Sequence, residues 1–189
     1  MKRGGGKSIF VLGGARSGKS RFALELAGKL KGVSPDDSRA YVATATARDK
    51  EMAERIKEHK KARAGGGGGG GEKIKWVTIE EPIRVRDFVR ENNEFAVVLI
   101  DCITLWLSNL VEEGMSDSEI MEEAEGLARL SRDTWATVVA VSGELGQGIV
   151  PRNKLARRFR DLSGLVNQAM AEAADEVFFI SAGLPVKMK

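Results

Sequence analysis

Short runs of consecutive apolar residues alternate along the chain with segments that carry apolar residues at every third or fourth position. The apolar runs predict six strands, at residues 8–12, 40–44, 74–79, 96–100, 137–142 and 176–181. The spaced patterns predict five helices, at residues 19–31, 49–63, 83–92, 118–135 and 151–174. Continuous apolar strands are typical of a sheet covered on both faces, and strands that alternate with helices favour parallel pairing. The chain is therefore predicted to be an α/β protein with a mostly parallel sheet and helices on both faces.

Composition excludes several other classes of protein. The 189 residues fit one domain, residues 1–189, and 42% of them are hydrophobic, which is enough for a substantial core. Lysine and arginine are interleaved with acidic residues, so no basic stripe predicts a nucleic-acid partner. No segment approaches the ~20 apolar residues of a membrane span. The single cysteine, Cys102, excludes an intramolecular disulfide and favours a cytoplasmic location.

One segment interrupts the alternation of strands and helices. Residues 65–71 are seven consecutive glycines, which cannot be ordered without a large loss of backbone entropy. We interpret this segment as a flexible surface loop. The alternative is a tether that lets the preceding helix move over a functional site.

The most informative motif directly follows the first predicted strand. Residues 13–20 read GGARSGKS and fill the G-x-x-x-x-G-K-[ST] pattern of the phosphate-binding loop, or P-loop. Its glycines let backbone N–H groups converge on phosphate oxygens, Lys19 would neutralise the β- and γ-phosphates, and Ser20 would offer its hydroxyl to Mg²⁺. The strand before the motif and the helical pattern after it argue against an ordinary glycine-rich turn. The predicted phosphate-binding residues are Gly13, Gly14, Ala15, Arg16, Ser17, Gly18, Lys19 and Ser20.

A second element of a nucleotide site is an apolar strand that ends in a carboxylate. Residues 97–101 read VVLID, and an acid at the end of a neighbouring strand commonly holds Mg²⁺ beside the P-loop hydroxyl. We therefore predict Asp101 as the second protein ligand of Mg²⁺, together with Ser20. Cys102, next in the chain, has no neighbour that would activate it, so we interpret it as a small core residue and not as a nucleophile.

The only histidine of the chain, His59, lies in the predicted helix at residues 49–63. Helical spacing places it on one face with Met52 and Ile56, which is typical of a core histidine. A neutral imidazole can also attack phosphorus and form a phosphoramidate. Spacing alone leaves both interpretations open.

Five segments, in order along nearly the whole chain, carry a resemblance to a known family. They read GGARSGKSRFA, YVATATARDKEMAERIKEHK, WVTIEEP, GQGIVPRNKLARRFRDLSGLVNQ and AADEVFFISAGLPVKMK. Together they resemble the bifunctional adenosylcobinamide kinase/adenosylcobinamide-phosphate guanylyltransferase family of cobalamin biosynthesis. The resemblance implies a RecA-like P-loop NTPase fold and a homotrimer.

The resemblance also implies an activity and a set of site residues. Members of the family phosphorylate adenosylcobinamide with ATP or GTP, and then transfer GMP from GTP to the corrinoid phosphate through a guanylyl-histidine. The nucleophile of the family matches His59 in the R-I-x-x-H motif, and Lys19 is the second catalytic residue. Beyond the P-loop, the implied nucleotide contacts are Ala43, Thr44, Ala45, Lys60, Lys61, Ala62, Arg63, Glu80 and Asp101.

The chain departs from the family pattern in three places. The glycine run lengthens the loop after His59, and Arg63 is followed by Ala64 where proline is usual. Arg152 stands where the family has glutamate, which reverses the local charge. Asp101 stands where many members have glutamate, and either carboxylate can reach Mg²⁺.

Two other functions share parts of this pattern. A single-activity small-molecule kinase would use the P-loop and Asp101 but would have no use for His59. A GTPase switch would read guanine with an N-K-x-D segment, and the nearest match, at residues 153–156, lacks the acid.

Overall fold

The computed structural model of the protein describes residues 5–30, 38–46 and 76–189. Within these ranges the strands are β1 (Ser8–Gly13), β2 (Arg39–Ala43), β3 (Trp76–Glu80), β4 (Val97–Asp101), β5 (Thr137–Gly143), β6 (Glu176–Ser181) and β7 (Leu184–Lys187). The helices are α1 (Lys19–Lys29), α2 (Val85–Glu91), α3 (Ile103–Glu112), α4 (Asp117–Asp133) and α5 (Lys154–Ala173). The helix predicted at residues 49–63 and the glycine loop at residues 65–71 lie outside the described residues.

The strands form one sheet in the order β3-β2-β4-β5-β1-β6-β7. Every neighbouring pair is parallel except β6 and β7, which are antiparallel. The prediction of a mostly parallel α/β sheet is therefore confirmed. Because the strands are parallel, the carboxyl ends of β1, β2, β3, β4 and β5 lie along one edge of the sheet.

Helices cover both faces of the sheet, as the continuous apolar strands predicted. In β1, Phe10 and Leu12 pack on one face with the apolar residues of α2, α3, α4 and α5. Ile9 and Val11 point to the other face and pack with Ala23 and other residues of α1. The chain therefore leaves β1 toward the face that α1 covers, and it leaves the adjacent strand β5 toward the opposite face, which α5 covers. Such a change of face is the place where open α/β sheets bind their ligands.

Two elements were not predicted from the pattern. Helix α3 buries Ile103, Trp106 and Leu107, which follow the i, i+3, i+4 spacing of one helical face, so the signal was present in the sequence although the helix was not predicted. Strand β7 is short and contains Pro185, which argues against a central strand but is compatible with the edge position that β7 occupies.

The ends of two helices differ from the prediction because of their caps. Helix α5 begins at Lys154, since the Asn153 side chain accepts a hydrogen bond from the backbone N–H of Ala156 at 3.1 Å. Pro151 therefore precedes the helix and does not lie in its first turn. Helix α4 begins at Asp117, after a capping box formed by Ser116 and Glu119.

Candidate functional site

The P-loop lies between β1 and α1. Two of its positions require glycine: at one, neighbouring atoms leave no room for a Cβ atom, and at the other the backbone φ is positive. A Cβ atom on Gly13 would lie 2.6 Å from the carbonyl oxygen of Ile180 and 2.6 Å from Ser17 Oγ. Gly18, the residue before α1, has a φ of 95°, which disfavours any other residue. The glycines of the motif therefore set the path of the loop over the carboxyl end of β1.

Lys19 and the backbone of the loop occupy the positions that phosphate binding needs. The Lys19 Nζ donates a hydrogen bond to the carbonyl oxygen of Gly14 at 3.0 Å, so the ammonium group lies over the loop. Lys19 is also the first residue of α1, whose free N–H groups and positive dipole end face the same side. Ala15 and Arg16 are exposed at the tip of the loop. The arrangement is that of an anion-binding site.

The turn between β6 and β7 braces the P-loop from the side. The backbone N–H of Gly183 donates to the carbonyl oxygen of Ser17 at 2.8 Å. Ala182 and Gly183 both have positive φ, 50° and 82°, as in the tight turns that join antiparallel strands. This contact was not predicted from the sequence. The only available signal was the Ala-Gly pair that separates two short apolar runs.

The structure brings Ser20 and Asp101 together, although β1 and β4 are not neighbours in the sheet. The Ser20 hydroxyl donates to Asp101 Oδ1 at 3.3 Å. The hydroxyl of Tyr41 donates to the other carboxylate oxygen, Oδ2, at 2.6 Å. Tyr41 was not predicted as part of the site. It lies on β2, and its distance from Asp101 depends on the register in which β2 pairs with β4.

The second strand ends beside the same carboxylate. Ala43 on β2 lies opposite Asp101 on one side and opposite Glu80 on the other, so three predicted site residues share one row of the sheet. Glu80 is exposed, and Ala43 and Ala45 are partly buried. These residues therefore lie at the carboxyl edge that also carries the P-loop.

Thr44 differs from its neighbours because it is fully buried. Its hydroxyl accepts a hydrogen bond from the Cys102 N–H at 2.7 Å and donates to the Cys102 carbonyl oxygen at 2.8 Å. Its own carbonyl oxygen accepts from the Asn109 side chain at 2.8 Å. In this structure the side chain of Thr44 therefore holds the chain in place just after Asp101.

A polar cluster that was not predicted from the sequence holds the carboxyl end of β5. This strand lies between β1, which leads into the P-loop, and β4, which ends at Asp101. The Thr104 hydroxyl accepts from the N–H of Gly143 at 2.6 Å, and the Asn167 side chain donates to the carbonyl oxygen of Gly143 at 3.1 Å. Asn167 also accepts from Ser142 at 2.7 Å. The next residue, Glu144, donates its N–H to the carbonyl oxygen of Gly13 at 3.0 Å, which ties β5 to the start of the P-loop.

The donor set at this edge fits a magnesium ion that is shared with a nucleotide. Mg²⁺ in such sites takes one or two protein oxygens and completes its shell with phosphate oxygens and waters. Ser20 and Asp101 supply a hydroxyl and a carboxylate at the required place. Across residues 5–30, 38–46 and 76–189 no cluster of three or more His, Cys, Asp or Glu side chains could hold a metal ion by itself.

The remaining predicted site residues lie outside the described residues. They are His59, Lys60, Lys61, Ala62 and Arg63. Arg152 is described and lies exposed just before the cap of α5, where its carbonyl oxygen accepts a hydrogen bond from Arg157 at 2.6 Å.

Cys102 is only partly exposed and packs with the apolar cluster beneath α1. Burial, and secondarily the adjacent Asp101 carboxylate, raises the pKa of its thiol to about 12. A thiol in this state is not a nucleophile at neutral pH, which supports the interpretation of Cys102 as a packing residue.

The reactivity of Cys102 is a direct test of that pKa. The ordinary pKa of the thiol is 9.0, so at pH 8 the native protein should contain about 10³-fold less thiolate than the unfolded chain. We expect iodoacetamide to alkylate the native protein more slowly by a similar factor, measured by mass spectrometry. The same protein in guanidinium chloride is the control. Equal rates in the two states would contradict the burial of the thiol.

The fold and this edge define the class: an α/β protein of the P-loop type. The family model described as cobinamide kinase / cobinamide phosphate guanyltransferase matches residues 9–188. The chain belongs to this family.

Curated relatives support the same assignment along the full chain. The bifunctional adenosylcobalamin biosynthesis protein CobP of Pseudomonas aeruginosa is 39% identical over 181 residues, 95% of each chain. The proteins named CobU of Escherichia coli and Salmonella typhimurium are 36% and 37% identical, and each match covers 96% of this chain and 99% of the relative. None of the helices among the described residues is long and apolar enough to cross a membrane.

Proposed function

We propose that the protein phosphorylates the hydroxyl on the aminopropanol arm of adenosylcobinamide with ATP or GTP, and then transfers GMP from GTP to the new phosphate. The observation on which the proposal rests is the 3.3 Å hydrogen bond from the Ser20 hydroxyl to Asp101 Oδ1, next to the P-loop residue Lys19. A triphosphate needs these groups in this arrangement. Membership of the family and the names of the relatives support the two reactions and the place in adenosylcobalamin biosynthesis.

The triphosphate would lie over the P-loop. Backbone N–H groups of the loop and of the first turn of α1 would donate to its oxygens, and Lys19 would exchange its hydrogen bond with Gly14 for contacts to the β- and γ-phosphates. Ser20 and Asp101 would hold Mg²⁺, which when bound neutralises charge on the phosphate oxygens. The nucleotide-binding residues implied by resemblance, Glu80 and the Ala43–Ala45 stretch among them, remain part of this proposal.

The kinase step needs no protein nucleophile. The substrate hydroxyl oxygen attacks the γ-phosphorus, the bond to the β-phosphate oxygen breaks, and the nucleoside diphosphate leaves as the hydroxyl proton is lost. The contribution of the protein is alignment and neutralisation of charge by Lys19 and the loop N–H groups.

The transfer step is proposed to pass through His59. A ring nitrogen of His59 attacks the α-phosphorus of GTP and expels pyrophosphate, which leaves GMP on the histidine as a phosphoramidate. A phosphate oxygen of adenosylcobinamide phosphate then attacks the same phosphorus and breaks the P–N bond. The products are adenosylcobinamide-GDP and free His59, so the enzyme is regenerated.

A single-activity small-molecule kinase would use the same described residues. Family membership does not favour it, because the family is described by both activities. The resemblance supports a homotrimer, and the single cysteine favours a cytoplasmic location; both stay predictions.

Reconstitution tests the proposed function and the role of Asp101 together. The purified protein with Mg²⁺, GTP and adenosylcobinamide is expected to give adenosylcobinamide phosphate first and adenosylcobinamide-GDP later, with release of pyrophosphate. Asp101→Asn should lower the rate of both steps about 10²-fold, because a metal-binding carboxylate is replaced by a neutral amide. Product masses and a coupled pyrophosphate assay follow the two steps.

Asp161→Asn is the matched control, because Asp161 is an exposed aspartate on α5. It should leave both rates unchanged. Formation of the phosphate without any GDP product would favour the single-activity kinase, and no reaction with the corrinoid would refute the proposed substrate.

A further inference from the structure

Tyr41 is the only tyrosine of the chain, and it is almost fully buried. It lies in the middle of β2, where its ring packs in the apolar cluster under α1. The ring also makes an edge contact with Trp76 on β3, with ring centres 6.4 Å apart and ring planes at 81°. These contacts fix the direction in which the phenol oxygen points.

That oxygen points at the candidate metal ligand. Tyr41 pairs with Leu99 in the parallel ladder between β2 and β4, and Asp101 is two residues further along β4, so both side chains lie on the same face. The phenol donates a hydrogen bond to Asp101 Oδ2 at 2.6 Å. Ser20 donates to the other oxygen, Oδ1, at 3.3 Å.

We propose that Tyr41 is a positioning residue that orients the Asp101 carboxylate for the metal of the nucleotide site. A carboxylate turns easily about its last side-chain bond, and a rigid donor on Oδ2 removes this freedom. Oδ1 is then held toward Ser20, which is where the proposed metal would lie. Outer hydrogen-bond partners commonly set the affinity of a site in this way. The inference rests on the proposed metal role of Asp101.

Tyr41→Phe removes the hydroxyl and keeps the ring. We expect it to weaken Mn²⁺ binding about 10-fold in the presence of guanosine 5′-(α,β-methylene)triphosphate, measured by the EPR signal of free Mn²⁺. This nucleotide cannot lose pyrophosphate to His59, and no corrinoid is present to accept its γ-phosphate, so neither transfer reaction proceeds during the measurement. Binding of the same nucleotide in EDTA should be unchanged. In steady-state assays the loss of kcat should be largely recovered at high Mg²⁺.

Trp76→Phe is the control for ring packing, because it replaces the ring that makes the edge contact with Tyr41 and keeps an aromatic side chain there, while the Tyr41 hydroxyl is retained. It should bind Mn²⁺ as the unaltered protein does. If both variants weaken Mn²⁺ binding and metal-free nucleotide binding equally, Tyr41 is a packing residue and the proposal is overturned. Tyr41→Phe with unchanged Mn²⁺ affinity overturns it as well.

A spectroscopic signature independent of activity is available because the chain has one tyrosine. Protein labelled with ¹³C at the ζ carbon of tyrosine should show one resonance for this carbon. Addition of Mg²⁺ to the nucleotide complex should shift it, since a cation on the carboxylate weakens the hydrogen bond from the phenol. An unmoved resonance would contradict a link between Tyr41 and the metal.

Asp101→Asn separates failure of this inference from failure of the proposed function. If Asp101→Asn weakens Mn²⁺ binding and Tyr41→Phe does not, only the role of Tyr41 is wrong. If Asp101→Asn leaves Mn²⁺ binding unchanged, the proposed metal role of Asp101 is wrong and the inference is overturned with it.

Discussion

Replacement of His59 by alanine is expected to abolish the covalent labelling of the protein by GTP that carries ³²P at the α-phosphorus. The unaltered protein, denatured after incubation with Mg²⁺ and this GTP, should retain label that is lost in acid and stable in base, as a phosphoramidate is. Loss of the nucleophile removes the only route to this intermediate, so formation of adenosylcobinamide-GDP should fall by on the order of 10⁵-fold. Mass spectrometry of the labelled peptide locates the GMP group.

The same variant carries its own control. The kinase step uses no protein nucleophile, so His59→Ala should still convert adenosylcobinamide to its phosphate at close to the unaltered rate. Acid-stable label, or label that persists in His59→Ala, would place the GMP group on a hydroxyl or another side chain and would refute the guanylyl-histidine. Absence of label on a protein that still binds GTP would leave the single-activity kinase as the better interpretation.

The sheet and the residues at its carboxyl edge were predictable because each strand carries its own signal. The residues from Val97 to Ile100 form an apolar run that is typical of a strand covered on both faces, and Asp101 marks the place where that burial ends. The rule that parallel strands present their carboxyl ends at one edge then predicts that Asp101 and Ser20 lie on the same side. The structure brings them to 3.3 Å, while their role as metal ligands stays a prediction.

The parts of the site that were not predictable depend on contacts between distant segments. Tyr41 reaches Asp101 only because β2 and β4 pair in one particular register, and nothing in either strand alone indicates that register. The support of the P-loop by Gly183 likewise requires the order of strands in the sheet. The proposed nucleophilic role of His59 has a different origin and stays a prediction, since helical spacing favoured a core histidine and only the resemblance to a family implied catalysis.

Lys19→Met is expected to remove both activities. In the described structure the Lys19 ammonium group donates to the carbonyl oxygen of Gly14 at 3.0 Å, directly over the loop in which the triphosphate would lie. A methionine keeps the length of the side chain and removes the positive charge that is proposed to stabilise the departing phosphate oxygens. We expect the kinase rate and the rate of guanylyl labelling each to fall about 10³-fold, measured in single-turnover reactions at saturating nucleotide.

The matched control is Lys29→Met, which changes an exposed lysine in the last turn of the same helix and should leave both rates unchanged. Lys19→Arg should not restore activity, because the planar guanidinium group cannot replace a compact ammonium group within the loop. The comparison of the two half-reactions is the informative part of the experiment. Equal losses mean that one triphosphate position serves both attack at the γ-phosphorus and attack at the α-phosphorus. Loss of the kinase step with normal labelling of His59 would require a second position for GTP away from Lys19, and would contradict the single-site mechanism proposed for this enzyme.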